Sequence, residues 1–594
     1  MDKNLNIQQK KAVEAAQNPL LIVAGAGTGK TKTLTSRLSF LINSGVPPEK
    51  IVAITFTNKA AKEMEHRISA NNPNLNPKPF IGTFHSFGAR LLREEAGLFG
   101  RNRGFFIFDT ADSFSLVKKI LKELGGKDTK PSLLSDFISS YKSTLDKTEP
   151  PQGLDEDLAY AALEEYENRL RAHNAFDFDD LLEKPVAIFK NNPEVLEKYQ
   201  KRFDHVLVDE YQDVNDMQYE LIRFLAGARG AVSAVGDAAQ TIYTWRGSNI
   251  KIFLNFEKDW PNASIIPLEE NYRSSANIIS AASAVLAGNN YLKGRFEKKL
   301  FTKNPTGDKV TLAEFTGEQE EASWIAKKIS GLVRVGESAA ILYRTNAQSR
   351  AIEQELIRAG LEYRIFGGLR FYERKEIKDI LAGLRFRANK NDEVSRERLE
   401  KNILKRRVKT YEEYIREGEM PNSPKELIAD FMRVTGYLEV LDKSEGNLED
   451  RKENIAELVR FAGEFSDLAS FLEQVALLQT TDNFGNKKND ASQIILSTIH
   501  LAKGLEFDNV FIAGVKEGLI PHGRTYYNEE EIEEERRLLY VAMTRAKKKL
   551  FISFFGIPSR FLGALPAEVI QLESTNKNRS FLSIDDEERY IEYD

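Results

Sequence analysis

The sequence predicts an α/β protein with two parallel-sheet halves, each interrupted by a mostly helical insertion. Three observations carry that expectation. Short aliphatic and β-branched runs alternate with helix-period stretches, as in parallel strands joined by crossover helices. The runs fall into two sets, one in each half of the chain. Two long, charged stretches, roughly 93–170 and 387–490, lack such runs and keep a helical period instead.

The first set of expected strands is Leu20–Val23, Ile51–Phe56, His205–Val208 and Ala231–Val235. The second is Ala339–Tyr343, Ile494–Thr498, Val510–Ala513 and Leu550–Ser553. Each is apolar along most of its length, which suits a parallel strand covered on both faces. The first insertion carries Pro131, Pro150 and Pro151 as helix breakers, and the second carries the basic run Lys401–Lys409. The expected division is 1–92 with 171–266 for the first α/β domain and 93–170 for its insertion. The second α/β domain takes 267–386 with 491–562, its insertion 387–490, and an acidic flexible tail 563–594.

Bulk properties narrow the class. A chain of 594 residues exceeds one core and implies about four packing units. No apolar run approaches the ~18 residues of a membrane helix, and Met1–Ala15 is polar, so a cytoplasmic protein is expected. The absence of cysteine excludes disulfides, cysteine-ligated zinc and iron–sulfur clusters. The six histidines have no metal-ligand spacing. A net charge of −5 does not advertise a polyanionic partner, so any nucleic-acid contact rests on local patches.

The segment Ala24-Gly25-Ala26-Gly27-Thr28-Gly29-Lys30-Thr31 follows the first apolar run and precedes a helix with Leu34, Leu38, Leu41 and Ile42 on its apolar face. Strand, glycine-rich turn and helix are the context of a phosphate loop, whose backbone N–H groups and helix N-terminus attract phosphate oxygens. Lys30 is expected on the β and γ phosphates, and Thr31 on Mg²⁺. Val206-Leu207-Val208 ends in two acids: Asp209 is expected to complete the Mg²⁺ shell and Glu210 to orient and deprotonate the attacking water. Arg37, one turn further on, is either a nucleotide contact or a solvated helix arginine.

These motifs stand in a longer ordered series. It begins with Leu5-Asn6-Ile7-Gln8-Gln9, the loop at 24–31, Thr55-Phe56-Thr57-Asn58-Lys59-Ala60-Ala61 and Thr83-Phe84-His85-Ser86. It continues through Asp177-Phe178-Asp179-Asp180, Asp209-Glu210-Tyr211-Gln212-Asp213, Gly236-Asp237 to Gln240, and Tyr243-Thr244-Trp245-Arg246-Gly247. Glu270-Asn271-Tyr272-Arg273-Ser274, His500 to Phe507 and Tyr540 to Lys547 complete it. The whole resembles the UvrD/Rep/PcrA branch of superfamily 1 helicases, from about Leu5 to Leu562.

The resemblance implies two RecA-like P-loop NTPase domains and a 3′→5′ ATP-dependent DNA helicase or translocase acting in DNA repair or replication, using ATP and Mg²⁺. By resemblance, Gln9 would read the adenine edge, Tyr272 would stack on the base, and Glu506 would bond the ribose. Gln240 would sense the γ-phosphate, and Arg273 and Arg545 would be arginine fingers reaching ATP when the domains close.

Movement along a strand of any sequence calls for base stacking and phosphate contacts. By resemblance, Phe56 and Trp245 would be the stacking residues, with Tyr243, Asn58, Thr83 and Arg246 beside them, and His85 and His500 would lie near the backbone. Phe84 and Phe87 read as core. Arg344-Thr345-Asn346 and Arg350, after a strand end, are a candidate phosphate grip, and Lys401–Lys409 reads as a duplex contact or a solvated helix. The expected partners are single-stranded DNA and its junctions with duplex, with the protein a monomer or weak dimer and no membrane involved. Stacking alone does not distinguish DNA from RNA; the resemblance points to DNA.

Ala238-Ala239 and Val214 depart mildly from the family pattern. The second insertion is shorter than in the best-known members, which opens a second reading: a translocase that strips proteins from DNA without unwinding it as a monomer. The short sequence after Leu562 leads to the expectation of no C-terminal nuclease domain.

Overall fold

In the computed structural model the chain forms two compact units, Met1–Tyr272 with Tyr291–Lys303, and Arg273–Asn290 with Asn304–Asp594. The structure describes residues 5–16, 18–72, 75–126, 128–227, 230–289, 299–390, 392–417, 423–442, 444, 447–481 and 493–574. Among these, no helix is long and apolar enough to cross a membrane.

The strands of the first unit are β1 Leu20–Ala24, β2 Ile51–Thr55, β3 Phe80–Thr83, β4 Phe106–Phe108, β5 Ala175–Asp177, β6 His205–Val208, β7 Val232–Gly236, β8 Ser264–Leu268, β9 Glu270–Asn271 and β10 Phe301–Thr302. Six of them form one parallel sheet in the order β3-β2-β6-β7-β1-β8. Every residue of β1, β2, β6 and β7 is buried, which is why these four read as unbroken apolar runs. The two sheet edges, β3 and β8, went unread. Gly82 interrupts β3, and Pro267 interrupts β8, where an edge position tolerates its missing N–H.

The first insertion packs helices Thr110–Glu123, Pro131–Ser143 and Glu156–Ala172 around Ile120, Leu134, Phe137, Ala162 and Leu170. It also carries a short parallel ladder of β4 with β5, of which β4 lies within the stretch expected to be helical.

The second unit adds β11 Val310–Phe315, β12 Ala339–Tyr343, β13 Arg364–Ile365, β14 Ile494–Thr498, β15 Phe507–Ile512, β16 Ala546–Phe555 and β17 Ile570–Ser574. They form a seven-stranded parallel sheet in the order β13-β14-β12-β15-β16-β11-β17. The expectation of a loose tail from 563 is corrected for Ile570–Ser574, which pairs with β11 along its whole length. That strand is short and mostly exposed, so it has no apolar run to advertise it. Residues 575–594 lie outside the described part.

The second insertion has its own core, from Phe371 and Ile380 through Tyr411, Phe431 and Leu458 to Val475. That core begins at Phe371 and takes in the helix Lys375–Ala388, ahead of the boundary expected at 387.

Candidate active site

The glycine-rich loop leaves the C-terminal end of β1 and enters the helix Lys30–Asn43. Gly27 (φ 67°) and Gly29 (φ 83°) are left-handed, a conformation that strains any side chain. Thr28 is buried, and its hydroxyl donates to the Gly25 carbonyl at 2.9 Å. Further bonds hold the loop from outside: Asn271 Nδ2 donates to the Ala26 carbonyl (2.6 Å) and the Tyr272 N–H to the Gly27 carbonyl (3.0 Å).

Gln9, on the helix Ile7–Glu14, is 2% exposed. Its amide nitrogen donates to the Thr28 carbonyl (3.0 Å) and its Oε1 accepts from the Asn6 N–H (3.0 Å). In this structure Gln9 braces the loop. The Tyr272 ring is half exposed, and its hydroxyl donates to Glu270 Oε2 (3.0 Å) and accepts from Asn6 Nδ2 (2.8 Å).

β6 delivers the two acids. The Asp209 N–H still donates to the Ile54 carbonyl (2.9 Å), so Asp209 ends the ladder, and Glu210 then turns into the left-handed region at φ 50°. Thr31 Oγ1 donates to Asp209 Oδ2 at 3.1 Å, and Lys30 Nζ lies 3.1 Å from Glu210 Oε2. Burial opposes the charged Lys30 ammonium, but Glu210, Asp237 and Asp209 outweigh it and hold its pKa above the usual lysine value. Burial, with the Glu210 charge second, pushes Asp209 up to about 7.

A buried carboxylate next to a second one favours a cation, and Thr31 Oγ1 and Asp209 Oδ2 are hard oxygens suited to Mg²⁺, which takes few protein ligands and completes its shell with phosphate and water. Among the described residues no cluster of three or more His, Cys, Asp or Glu competes as a metal site.

From Glu210 a chain of hydrogen bonds runs through the unit. Gln212 Nε2 donates to Glu210 Oε2 (2.6 Å), the Asp237 N–H to Gln212 Oε1 (2.8 Å), and Gln240 Nε2 to Asp237 Oδ2 (2.7 Å). Gln212 and Asp237 are fully buried. Neither had been singled out; only their place inside the Asp-Glu and Gly-Asp motifs marked them.

The expectation of a nucleotide contact or a solvated side chain at Arg37 is corrected. Arg37 is 1% exposed and donates to the carbonyls of Ala12, Val13, Ala15 and Ala16 and to Ser233 Oγ at 2.7–3.2 Å. It closes the C-terminal end of the helix Ile7–Glu14, whose last carbonyls need donors.

The expected strand-contact residues of the first unit divide by exposure. Trp245 is 65% exposed and Asn58 is exposed, while Tyr243 and Phe56 are half-buried, Phe56 packing edge-on against Phe84 at 5.6 Å. Phe84 and Phe87 are buried, as expected of core. Thr83 is mostly buried and caps the helix Phe84–Glu95 by accepting from the Ser86 N–H at 3.1 Å. The Arg246 side chain lies outside the described part.

His85 stacks on Phe178 at 4.0 Å between ring centroids, and burial pulls its pKa down to about 4, so it is neutral at pH 7. Phe178 is 53% exposed and is not among the expected strand-contact residues, although a lone aromatic among three acids is a readable signal.

In the second unit, Arg273 Nε donates to Glu506 Oε2 (2.8 Å) and its Nη1 to the Thr544 carbonyl (3.1 Å). Arg545, 2% exposed, donates to the carbonyls of Val541 (2.9 Å) and Leu505 (3.2 Å). Glu506 is thus shared between Arg273 and Lys547, whose Nζ lies 2.7 Å from Glu506 Oε1. Burial works to raise the Glu506 pKa, but Lys547 and Arg273 overcome it and hold it below the usual glutamate value. Arg344, at the end of β12, is paired side-on with the buried Glu535 at 2.7–3.1 Å, and His500 follows β14 half-buried.

A strand–loop–helix with left-handed glycines, a lysine and threonine at the helix start, and an Asp-Glu pair at the end of a nearby parallel strand define a P-loop nucleoside triphosphatase site. Comparison with known proteins narrows the class. Residues 5–261 match the UvrD/REP helicase N-terminal domain, and 266–421 and 404–556 the UvrD-like helicase C-terminal domain. The chain is 38% identical to the ATP-dependent DNA helicase PcrA of Bacillus subtilis, covering 97% of this chain and 87% of the relative. The same figures hold for the ATP-dependent DNA helicase UvrD1 of Mycobacterium tuberculosis. It is also 38% identical to a probable DNA helicase II homolog of Rickettsia felis, covering 97% of this chain and 98% of the relative. The chain belongs to the UvrD/REP helicase family.

Proposed function

We propose that this chain is an ATP-dependent DNA helicase that moves 3′→5′ along single-stranded DNA and unwinds duplex, in the cytoplasm, in repair or replication. The observation that carries the reading is the pairing of Lys30 with Glu210 and of Thr31 with Asp209 at the head of a hydrogen-bonded chain to Gln240. The pairing marks the hydrolytic centre, and the chain gives it a route to neighbouring strand ends.

In this reading ATP phosphates settle on the loop N–H groups and Lys30 Nζ leaves Glu210 for the β and γ phosphates. Released from the lysine, Glu210 accepts a proton from the water whose oxygen attacks the γ-phosphorus, while the bond to the β–γ bridging oxygen breaks. Thr31 and Asp209 would hold Mg²⁺, which neutralises phosphate charge. Tyr272 stacks on the base. Arg273 and Arg545 supply charge to the transferring phosphoryl group. Glu506, then relieved of Arg273, bonds the ribose. Gln240 reports the γ-phosphate through Asp237 and Gln212. Trp245, Phe56 and Phe178 stack on bases, with His85 and His500 at the backbone.

A duplex carrying either a 3′ or a 5′ single-stranded overhang tests polarity. Unwinding of the 3′ substrate alone is expected. Unwinding from the 5′ overhang contradicts the reading, and displacement of bound protein without strand separation favours a translocase instead.

A further inference from the structure

The first insertion meets the α/β core through a polar joint gathered on Lys142. This lysine, on the helix Pro131–Ser143, is 1% exposed. Its Nζ lies 2.7 Å from Asp177 Oδ2, 2.7 Å from Asp180 Oδ1 and 2.8 Å from Glu167 Oε1. Those acids come from three places: Asp177 ends β5, Asp180 opens the helix Asp180–Asn191, and Glu167 sits on the helix Glu156–Ala172. Buried carboxylates this close repel one another unless a cation lies among them.

The joint closes the turn 177–180 from every side. The Asp177 N–H donates to Asp180 Oδ2 (3.1 Å) and the Asp180 N–H to Asp177 Oδ1 (2.8 Å). Tyr166 Oη donates to Asp177 Oδ2 (3.0 Å), Ser139 Oγ to Asp179 Oδ2 (2.7 Å), and Lys184 Nζ sits 3.4 Å from Asp180 Oδ1. The three acids of the turn are thereby drawn inward, and Phe178 between them is left outside, stacked on His85.

We propose that Lys142 is a positioning residue for the strand contact: it holds the 177–180 turn so that the Phe178 ring is presented, against His85, to a base of the single strand. The inference rests on the strand-contact reading of Phe178 and His85 given above. The lysine itself does not touch the strand; its effect passes through the ring.

The test is oligothymidylate-stimulated ATP hydrolysis by the full chain, read as the oligonucleotide concentration giving half-maximal rate. Replacing Phe178 by Ala is expected to raise that concentration about tenfold, as loss of one base stack does. Lys142→Met is expected to raise it by a similar factor with the saturated rate changed less than about twofold, Lys142→Arg to restore most of the loss, and Lys142→Met to add little once Phe178 is already Ala. That lack of additivity separates positioning from general damage to the fold.

Ser139→Ala, which removes only the hydroxyl bond to Asp179, gives a milder variant should Lys142→Met not fold; it is expected to raise half-saturation about twofold in the native background and not in Phe178→Ala. Additive effects, or no effect of Ser139→Ala where Lys142→Met is unfolded, overturn the inference. If the native protein is not stimulated by oligothymidylate, the strand-contact reading fails first.

Discussion

Asp209 has its pKa raised to about 7, by burial first and by the Glu210 charge second. A carboxyl whose folded pKa lies above its unfolded one adds stability that is complete below the ordinary aspartate range and is lost as pH rises through the folded value. Nucleotide-free protein is therefore expected to lose stability between pH ~4 and ~7 through this group, and Asp209→Asn to flatten that slope. Urea denaturation at a series of pH values measures it; an unchanged slope in the variant contradicts the assignment. Arg37 gives a second test at this scale. Its five contacts close a helix end, so Arg37→Met is expected to cost about 2–4 kcal/mol of stability while leaving the ATP KM within about twofold. A raised KM with unchanged stability would restore the nucleotide-contact reading.

Between elements, the helix Phe84–Glu95 approaches the helix Asp180–Asn191 closely at Gly88. A Cβ added at Gly88 would lie 1.7 Å from the Leu181 carbonyl oxygen, and backbone does not yield as a side chain does. Gly88→Ala is expected to cost about 3 kcal/mol or more, read as a lowered urea midpoint; a loss under about 1 kcal/mol contradicts the packing. The first of these helices carries His85 and the second follows Phe178, so this contact sets the stacked pair proposed to meet the strand.

How much of this was legible follows from what buries each element. The central strands β1, β2, β6 and β7 are covered on both faces, so their sequences say so. The edge strands β3, β8 and β17 are half-covered or interrupted by Gly82 and Pro267 and fell below the same signal. The loop, Lys30, Thr31, Asp209 and Glu210 were readable because phosphate chemistry demands those residue types in that order. Arg37 was misread because a lone helix arginine carries no mark of the carbonyls it will meet. Gln212 and Asp237 were passed over because a buried polar chain is visible only when its members are brought together in space.

At the scale of the molecule, two compact units share one design: a parallel sheet with a helical insertion. Hydrolytic groups sit in the first, and the arginines that would complete them in the second. In the proposed cycle the arginines act on the triphosphate, and Arg273 and Arg545 must release their present partners, Glu506 and the Leu505 carbonyl, to do so. In the same proposal, that exchange of partners ties hydrolysis to a change of shape, which the proposed strand-contact residues would turn into movement.

The most direct test of that coupling is steady-state phosphate release with and without a single-stranded oligonucleotide, on the native chain and on Lys30→Ala. The account predicts stimulation of the native rate by at least about tenfold, and loss of the stimulated rate by at least about a hundredfold in Lys30→Ala with oligonucleotide binding retained. One rate with and without the strand, or a Lys30→Ala protein that still hydrolyses ATP, would contradict it.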